Sequence, residues 1–220
     1  MKVRGVIWDV DGTLVNSNDA HARAWMSALA EHHFYVAFES IRPLIGMGGD
    51  KLLPALAQID EASPLGRAVS ERRSEIFSTE HLPKLHAFPR ARELLVRLAD
   101  LGLKHAVASS ARREELDALL QLANVQDLLV KVASSSEAKG SKPDPDIVQA
   151  ALAHLRLDPA DVIMVGDTPY DVEAASRAGI RAVALRCGGR SDRDLSAAQA
   201  IYDSPADLLD QLDTSPFVPR

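Results

Sequence analysis

The sequence predicts an α/β protein built on a doubly wound parallel sheet, and three observations lead to this prediction. Short apolar segments alternate with amphipathic helical patterns over most of the chain. Small or polar residues follow each apolar segment, as they do at the ends of buried parallel strands. One long stretch after the first apolar segment carries helical patterns only, so we expect a small all-helical unit inserted there.

The first strand is predicted at residues 6–8, and the later strands share its short apolar character. The further strands are predicted at residues 105–108, 128–132, 162–165 and 182–185, with a short sixth strand at 200–202. The helices of this alternating part are predicted at residues 89–101, 112–122, 145–155, 170–178 and 205–212. Gly102 and Gly179 follow two of these helices, where glycine often ends a helix. Residues 214–220 are predicted to form a loose tail.

The stretch between the first strand and the second breaks this alternation. It shows an amphipathic helix at residues 19–32 and two more helical patterns at 51–59 and 67–77. We therefore predict a core of residues 1–16 and 86–220 and a helical cap of residues 17–85, with hinges near 15–17 and 84–89. A lid in this position would cover the strand ends and exclude water from them.

The composition limits the function classes to consider. The chain has 220 residues, 46% of them hydrophobic and 25% charged, which is typical of an ordinary globular protein. Its 25 Lys and Arg against 31 Asp and Glu give a net charge of −6, which argues against a nucleic-acid partner but not against one phosphate in a locally positive pocket. Cys187 is the only cysteine, which excludes an intramolecular disulfide and a cysteine-rich zinc site.

The apolar segments are too short for targeting or membrane insertion. The run before Asp9 covers only residues 6–8, which is too short for a signal peptide. No stretch reaches the apolar length that spans a bilayer. We therefore expect a cytoplasmic protein with no membrane partner.

The most informative segment is Val-Ile-Trp-Asp-Val-Asp-Gly-Thr at residues 6–13. Asp9 and Asp11 are two residues apart, so on an extended chain both side chains lie on the same face. Burying two charges is costly unless a partner or a metal compensates. The pair therefore suggests one carboxylate for chemistry, one for proton transfer and a cation between them. An Asp-Gly hairpin turn is the alternative, whereas an EF-hand fits badly because Gly12 comes too early after Asp9.

Two further polar sites follow the predicted strands. Ser109, with Ser110, comes directly after residues 105–108 and could bind an anion at a helix start, or simply cap the next helix. Lys142 lies in Ser-Lys-Pro-Asp-Pro-Asp, where prolines restrict the loop. This lysine could neutralise a phosphate and a neighbouring carboxylate, or it could be an ordinary solvated lysine.

A third site lies in Gly-Asp-Thr-Pro-Tyr-Asp at residues 166–171. Asp167 follows a strand predicted to be buried, and Asp171 is four residues further on. Oxygen ligands without a histidine or cysteine cluster favour Mg²⁺ over zinc. The alternative is that Asp167 caps the helix that follows.

These segments, taken in order, resemble the haloacid dehalogenase superfamily of phosphotransferases over essentially the whole chain. The four family motifs match Asp9-Val10-Asp11-Gly12-Thr13, Ser109, Lys142 in Lys-Pro-Asp-Pro-Asp, and Gly166-Asp167-Thr168-Pro169-Tyr170-Asp171. The helical insert is similar to the family's small cap, and the nearest subgroup looks like the phosphoglycolate phosphatase and β-phosphoglucomutase group. The resemblance implies a Rossmann-like core.

The resemblance also implies a mechanism. Asp9 would attack phosphorus to form an aspartyl-phosphate, and Asp11 would protonate the leaving oxygen and then activate water. Mg²⁺ would be held by Asp9, the Asp11 backbone carbonyl and Asp167, and Asp171 would be an outer group or an occasional ligand. The phosphoryl oxygens would be held by Lys142, Ser109 and Ser110 and by backbone N–H groups near Gly12. An acid at position 11 points to phosphoryl transfer, because the dehalogenase branch lacks one there.

The predicted partner is a small-molecule phosphate ester, and the helical cap would read its leaving group. Candidate cap residues are Ser17, His21, Arg23, Met47 and Lys51. The spacing of His21 and Trp25 is also found in the phosphomutase subgroup, although a lone histidine on such a helix is often structural. The leading hypothesis is a Mg²⁺-dependent phosphatase, and the alternative is a sugar-phosphate mutase. A non-enzymatic phospholigand-binding module is a third hypothesis. We expect a monomer or a weak homodimer.

Overall fold

The computed structural model describes residues 2–134 and 140–218 of the chain. In these residues a six-stranded sheet has the order β3-β2-β1-β4-β5-β6, and every neighbouring pair is parallel. The strands are β1 (Gly5–Trp8), β2 (Lys104–Ala108), β3 (Leu129–Ala133), β4 (Val162–Gly166), β5 (Arg181–Leu185) and β6 (Ala200–Tyr202). The predicted α/β class and parallel sheet are therefore confirmed.

The helices connect and cover these strands. Those in the first half of the chain are α1 (Asn18–Glu31), α2 (Phe38–Ile41), α3 (Gly49–Ala57), α4 (Pro64–Ile76) and α5 (Ala91–Asp100). The later ones are α6 (Arg113–Ala123), α7 (Asp146–Leu155), α8 (Pro169–Arg177) and α9 (Pro205–Asp210). Each predicted helix is present, with ends that differ from the prediction by at most three residues.

The strand order creates the position of the site. The chain starts at the centre with β1, moves to one side for β2 and β3, and returns to the other side of β1 for β4. Trp8 pairs with Val165 at the carboxyl ends of β1 and β4, and the Asp9 N–H donates to the Val165 carbonyl at 2.9 Å. Ligands of open α/β sheets bind at such a reversal of strand order.

Both faces of the sheet are buried, as the continuous apolar runs predict. Val6 and Trp8 belong to one hydrophobic cluster, together with helices α1, α4 and α5, whereas Ile7 belongs to a second cluster with α7 and α8. Alternate residues of β1 thus point to opposite faces. This rigid double layer fixes the backbone from which Asp9 projects.

Only helices are assigned between β1 and α5 in the described chain, apart from isolated bridges. The two connections to this helical segment run side by side, because Val15 and Ala87 form an antiparallel bridge and the Asn16 N–H donates to the His86 carbonyl at 3.1 Å. These contacts lie where the hinges were predicted. The division into a core and a cap remains a prediction.

The C-terminal residues differ from their prediction. The loose tail expected at 214–220 is wrong for the described residues, because Ser215 and Phe217 are buried and Phe217 belongs to the main hydrophobic cluster. Burial of the Phe217 ring offsets part of the conformational freedom that the tail loses on ordering. Residues 219–220 lie outside the described residues. None of the described helices has both the length and the apolar character needed to cross a bilayer.

Candidate active site

Asp9 leaves β1 at the centre of the sheet and is almost fully buried. Its Oδ2 accepts from the Thr13 hydroxyl at 3.4 Å, and Thr13 also donates to Asp167 Oδ1 at 3.2 Å. Burial raises the pKa of Asp9 well above its usual range, Lys142 opposes this rise, and the neighbouring carboxylates add to it. The hairpin-turn alternative does not hold, since Asp9 follows a central strand of a parallel sheet.

Lys142 is the positive charge that this carboxylate needs. Its side chain is only 1% exposed, and its Nζ contacts Asp9 Oδ1 and lies 2.7 Å from Asp171 Oδ1. Burial would lower the pKa of Lys142, but the charges of Asp171 and Asp9 outweigh burial and raise it. The solvated-lysine alternative is therefore wrong.

Asp167 follows β4 and is completely buried. Its Oδ2 accepts from the Asn18 side-chain amide at 2.7 Å, and Asn18 also donates to the Gly188 carbonyl at 3.2 Å. Burial, assisted by the charge of Asp171, raises the pKa of Asp167 to about 7. The capping alternative fails for Asp167, because Thr168 is the residue that caps α8.

Asp171 has two structural tasks at the start of α8. Its Oδ2 accepts from the Thr168 N–H at 3.0 Å, and the Thr168 hydroxyl oxygen accepts from the Asp171 N–H at 3.3 Å, which together form a capping box. Its other oxygen, Oδ1, holds the Lys142 ammonium. Asp171 thus orients the lysine toward Asp9. We call Asp9, Lys142, Asp167 and Asp171 the strand-end cluster.

The strand-end cluster has the donor set of a divalent-metal site. Asp9, Asp167 and Asp171 each offer a carboxylate oxygen, and these oxygens all lie within 4.8 Å of one another. Three buried carboxylates face a single ammonium group, which leaves an excess of negative charge that a divalent cation would offset. The all-oxygen donors suit a hard cation. The Asp11 carboxylate is not part of this group, so its predicted contribution is limited to the backbone carbonyl.

Gly12 keeps the backbone close to this group. Its φ is +77°, a left-handed conformation that glycine adopts freely. A Cβ atom at this position would also collide with the Asn18 amide and the Asp167 carboxylate. Both constraints require glycine between Asp11 and Thr13.

Asp11 turns toward α1 rather than toward the strand-end cluster. The Ser17 hydroxyl donates to Asp11 Oδ1 at 2.5 Å, and His21 Nε2 lies 2.7 Å from the same oxygen. Burial would raise the pKa of Asp11, but His21 and these hydrogen bonds outweigh burial and lower it. Asp9 and Asp11 still line one cavity of about 50 Å³, as their spacing predicts.

Ser109 and Ser110 line the same cavity from the end of β2. The Ser109 hydroxyl accepts from the Ala111 N–H at 3.1 Å, and its own N–H donates to the Ala133 carbonyl at 3.3 Å. Ser109 does not cap α6, whose N-cap position is Arg112. The Ser110 hydroxyl is buried and has no hydrogen-bond partner among the described residues.

The predicted cap residues separate into two groups. His21 and Met47 line the cavity, and Ser17 reaches it indirectly through Asp11. Lys51 does not line it, because its Nζ binds Asp144 Oδ2 at 2.6 Å on the outer side. Arg23 is also directed elsewhere, with its guanidinium 5.1 Å from the centre of the Phe38 ring.

Two charged cavity residues were absent from the sequence prediction. Glu115 of α6 and Arg73 of α4 are both buried, and Arg73 Nη1 lies 2.8 Å from Glu115 Oε2. His21 Nδ1 is 3.8 Å from Glu115 Oε1. In the sequence both charges resemble ordinary solvated helix residues, so no pattern singles them out. We call His21, Arg73 and Glu115 the helix-side network.

Thr13 and Asn18 were also not assigned a role from the sequence. Thr13 belongs to the first motif and could have been predicted as a hydrogen-bond donor, because a hydroxyl group close to two acids in the sequence can donate to a carboxylate. Asn18 gives no comparable signal, because its contact with Asp167 joins residues 149 positions apart.

Comparisons with known proteins agree with this geometry. A family model described as haloacid dehalogenase-like hydrolase matches residues 6–185. The chain is 26% identical over 214 residues to pyrophosphatase PpaX of Bacillus velezensis, covering 94% of this chain and 95% of that protein. A crystal structure of a hydrolase from Pseudomonas syringae superposes with a TM-score of 0.90 at 28% identity, covering 96% of this chain and 98% of that one.

A longer protein also contains a similar segment. The chain is 33% identical over 189 residues to the chloroplastic protein SUPPRESSOR OF QUENCHING 1 of Arabidopsis thaliana, and the match covers 84% of this chain. It spans only 18% of that protein. The match to the family model covers most of the chain, the sheet brings Asp9 and Asp167 to adjacent strand ends, and Lys142 reaches Asp9 from a loop. The chain therefore belongs to the haloacid dehalogenase-like hydrolase family and is a phosphatase-type enzyme.

Proposed function

We propose that the protein is a Mg²⁺-dependent phosphatase that hydrolyses a small phosphomonoester through an aspartyl-phosphate on Asp9. The observation that carries the proposal is the placement of Lys142 between Asp9 and Asp171, with Asp11 facing the same cavity. A carboxylate attacks a phosphate dianion poorly because both are negative. A fixed ammonium group beside the attacking carboxylate reduces that repulsion.

The chemistry divides between the two acids. An Asp9 oxygen attacks phosphorus and the bond from phosphorus to the ester oxygen breaks, while the Asp11–His21 pair delivers a proton through Asp11 to the leaving alcohol. Water then attacks the aspartyl-phosphate, Asp11 takes its proton, and the bond between Asp9 and phosphorus breaks. His21, 2.7 Å from Asp11, shares that proton and orients the carboxyl group. Lys142 and the Ser109 and Ser110 hydroxyls hold the phosphoryl oxygens.

The strand-end cluster would hold Mg²⁺ through Asp9 and Asp167, with Asp171 as an outer or occasional ligand and the Asp11 backbone carbonyl as a further donor. When bound, the ion supplies positive charge that favours the negatively charged phosphoryl group. Asn18 and Thr13 keep the Asp167 carboxylate in place by donating to its two oxygens. Asn18 therefore acts as a positioning residue.

The test replaces the nucleophile. We expect Asp9→Asn to reduce hydrolysis of p-nitrophenyl phosphate by at least about a thousandfold, because an amide is a very poor nucleophile. Asp100→Asn, at the exposed end of α5, is the matched control and should leave the rate unchanged. Full activity in Asp9→Asn would exclude the aspartyl-phosphate route. Removing metal with a chelator should abolish turnover, and Mg²⁺ should restore it.

A sugar-phosphate mutase is a second candidate, supported by the contact of His21 with Asp11. Its phosphoenzyme would resist water and would transfer the phosphoryl group to a second hydroxyl. Incubation with sugar monophosphates and a bisphosphate primer separates the two. Steady release of inorganic phosphate without an isomer supports the phosphatase, whereas isomer formation without phosphate release supports the mutase. Membership of the hydrolase family leaves the non-enzymatic module without support.

Three expectations about the whole molecule are also proposals. We propose that residues 17–85 act as a cap that moves relative to a core of residues 1–16 and 86–220. The antiparallel bridge between Val15 and Ala87 holds the two connecting segments side by side, which supports a hinge at this boundary. We further propose a cytoplasmic protein that is a monomer or a weak homodimer, for which sedimentation at several concentrations is the test.

A further inference from the structure

The helix-side network brings a buried ion pair to the wall of the reaction cavity. Arg73 comes from α4 and Glu115 from α6, and each is less than a tenth exposed. Both Glu115 oxygens accept from Arg73 Nη1, at 3.0 and 2.8 Å. The phosphoryl-transfer roles described above use neither residue. Buried ion pairs are weak sources of stability, so a role in function is a reasonable alternative.

The network lies on the leaving-group side of the site. Asp11 delivers its proton to the leaving oxygen, and His21 is bound to Asp11 on the side away from the strand-end cluster. Glu115 Oε1 lies 3.8 Å from His21 Nδ1, and Arg73 Nη1 donates to Glu115 Oε2 at 2.8 Å. A leaving group that departs past Asp11 would therefore meet Arg73 and Glu115. Arg73 also lines an adjoining cavity of about 250 Å³, which offers space for that group.

The charges of these walls do not favour an anion. In the reaction cavity, Lys142 is held by Asp9 and Asp171, and Arg73 is held by Glu115. The adjoining cavity is lined by Arg73, Arg112, Asp50 and Glu61, and Arg112 forms no ion pair among the described residues. In neither cavity do the Lys and Arg side chains among the described lining residues outnumber the carboxylates. A carboxylate on a leaving group short enough to stay in the reaction cavity would thus lose its hydration without gaining a free cation. Only a longer leaving group could reach Arg112.

The same pair suits a hydroxyl group. Arg73 Nε is buried and has no hydrogen-bond partner in the part of the chain that the structure describes. The Glu115 carboxylate beside it can accept a hydrogen bond. Arg73 Nε is enclosed and out of reach of a ligand, but a hydroxyl can donate to the Glu115 carboxylate, which lines the cavity. An anion has no proton to donate and would be repelled by Glu115.

We infer that Glu115, by holding Arg73, makes the site select phosphate esters whose short leaving group is neutral and hydroxylated over esters whose short leaving group carries a carboxylate. This inference rests on the proposed phosphatase function and adds the substrate class to it. Glu115 and Arg73 are specificity-determining residues, and neither takes part in the bond changes at phosphorus.

The test compares two substrates that differ only in the group of interest, 2-hydroxyethyl phosphate and phosphoglycolate. The wild-type protein should show a kcat/KM at least about tenfold higher for 2-hydroxyethyl phosphate, since one repelled and desolvated anion is worth at least that factor. Glu115→Gln removes the negative charge and frees Arg73, so this ratio should fall at least tenfold, chiefly through a lower KM for phosphoglycolate. Arg73→Gln should move the ratio in the opposite direction.

Glu114→Gln is the matched control, because Glu114 is the exposed neighbour on the same helix. It should leave the ratio as in the wild type. A wild-type preference for phosphoglycolate would overturn the inference, as would equal ratios in the two glutamine variants. The wild-type ratio requires no variant, so it decides the matter even if Glu115→Gln does not fold.

The two proposals fail in different ways. Absence of hydrolysis of both esters and of p-nitrophenyl phosphate, with Mg²⁺ present, would overturn the phosphatase itself. Hydrolysis of all three with the ratio reversed would overturn only the role of Glu115.

Discussion

The strand-end cluster and the helix-side network are both buried groups of charges beside one cavity, but they are assembled differently. Three members of the first follow or flank the ends of β1 and β4, and Lys142 joins them from a loop that reaches the same edge. The second joins α1, α4 and α6, whose relation depends on how the helical segment sits over the sheet. The positions of the reacting groups thus follow from the strand order of the sheet. The proposed selectivity depends instead on contacts between the helical segment and α6.

The largest expected effect on activity comes from Lys142→Met in the strand-end cluster. We expect a loss of about 10³-fold in kcat/KM on p-nitrophenyl phosphate, because the ammonium that faces Asp9 and the phosphoryl group is removed. Steady-state kinetics at saturating Mg²⁺ measures it, with circular dichroism to show that the variant is folded. Lys104→Met, at an exposed position of β2, is the control and should keep its activity. A loss of less than tenfold would mean that Lys142 only neutralises Asp171.

A second prediction concerns the core beneath the strand-end cluster. The Trp8 indole N–H donates to His105 Nδ1 at 3.0 Å between β1 and β2, and burial lowers the pKa of His105 to about 4. The unfolded chain takes up this proton near pH 6.5, and the folded chain resists it until about pH 4. The free energy of unfolding should therefore fall as pH drops through this window, by about 2 kcal/mol between pH 7 and 5 from His105 alone.

Urea unfolding of the wild type and of His105→Asn at pH 7 and pH 5 measures this contribution. The variant is expected to be less stable at pH 7 but to lose less stability on acidification. His33→Gln, at an exposed position, should keep the wild-type pH dependence. An equal loss in the wild type and His105→Asn would show that other groups control the acid sensitivity.

The smallest expected effect lies on the outer side of the helical segment. Lys51 Nζ binds Asp144 Oδ2 at 2.6 Å and joins α3 to the loop that carries Lys142. The pair is about one-quarter to two-fifths exposed, so Lys51→Ala should cost only about 0.5 kcal/mol and change kcat/KM by less than twofold. Thermal unfolding at low and high salt measures it, and the difference should vanish in about 1 M NaCl. Lys84→Ala provides the exposed control. A tenfold loss of activity would place Lys51 in the catalytic machinery.

Prediction from sequence succeeded where a residue's position follows from the backbone. The acids Asp9 and Asp167 come directly after apolar runs, and parallel strands bring such positions to one edge of the sheet. Lys142 stands directly before a Pro-Asp-Pro segment, but its sequence context alone also fits a solvated lysine, and the resemblance to the third family motif is what identified it. Its contact with Asp9 joins residues 133 positions apart, yet the order of strands makes that contact possible.

Prediction failed where the position depends on packing between segments. Lys51 looks well placed beside the Gly-rich loop, but its charge is taken up by Asp144 outside the cavity. Glu115 has the sequence context of a solvated helix residue, and only the approach of α4 buries it against Arg73. Phe217 lies in a polar, proline-containing tail and is buried because the hydrophobic cluster offers it a site.

The sequence by itself determined the sheet, the helical insertion and the acids, serines and lysine at the strand ends. Periodicity and turn residues act locally, and parallel strands leave few ways to arrange their ends. Only the tertiary structure decided that Asp171 orients Lys142, that Asp11 turns to His21, and that Glu115 pairs with Arg73. These contacts join side chains far apart in the chain, and their distances depend on how the helical segment rests on the sheet.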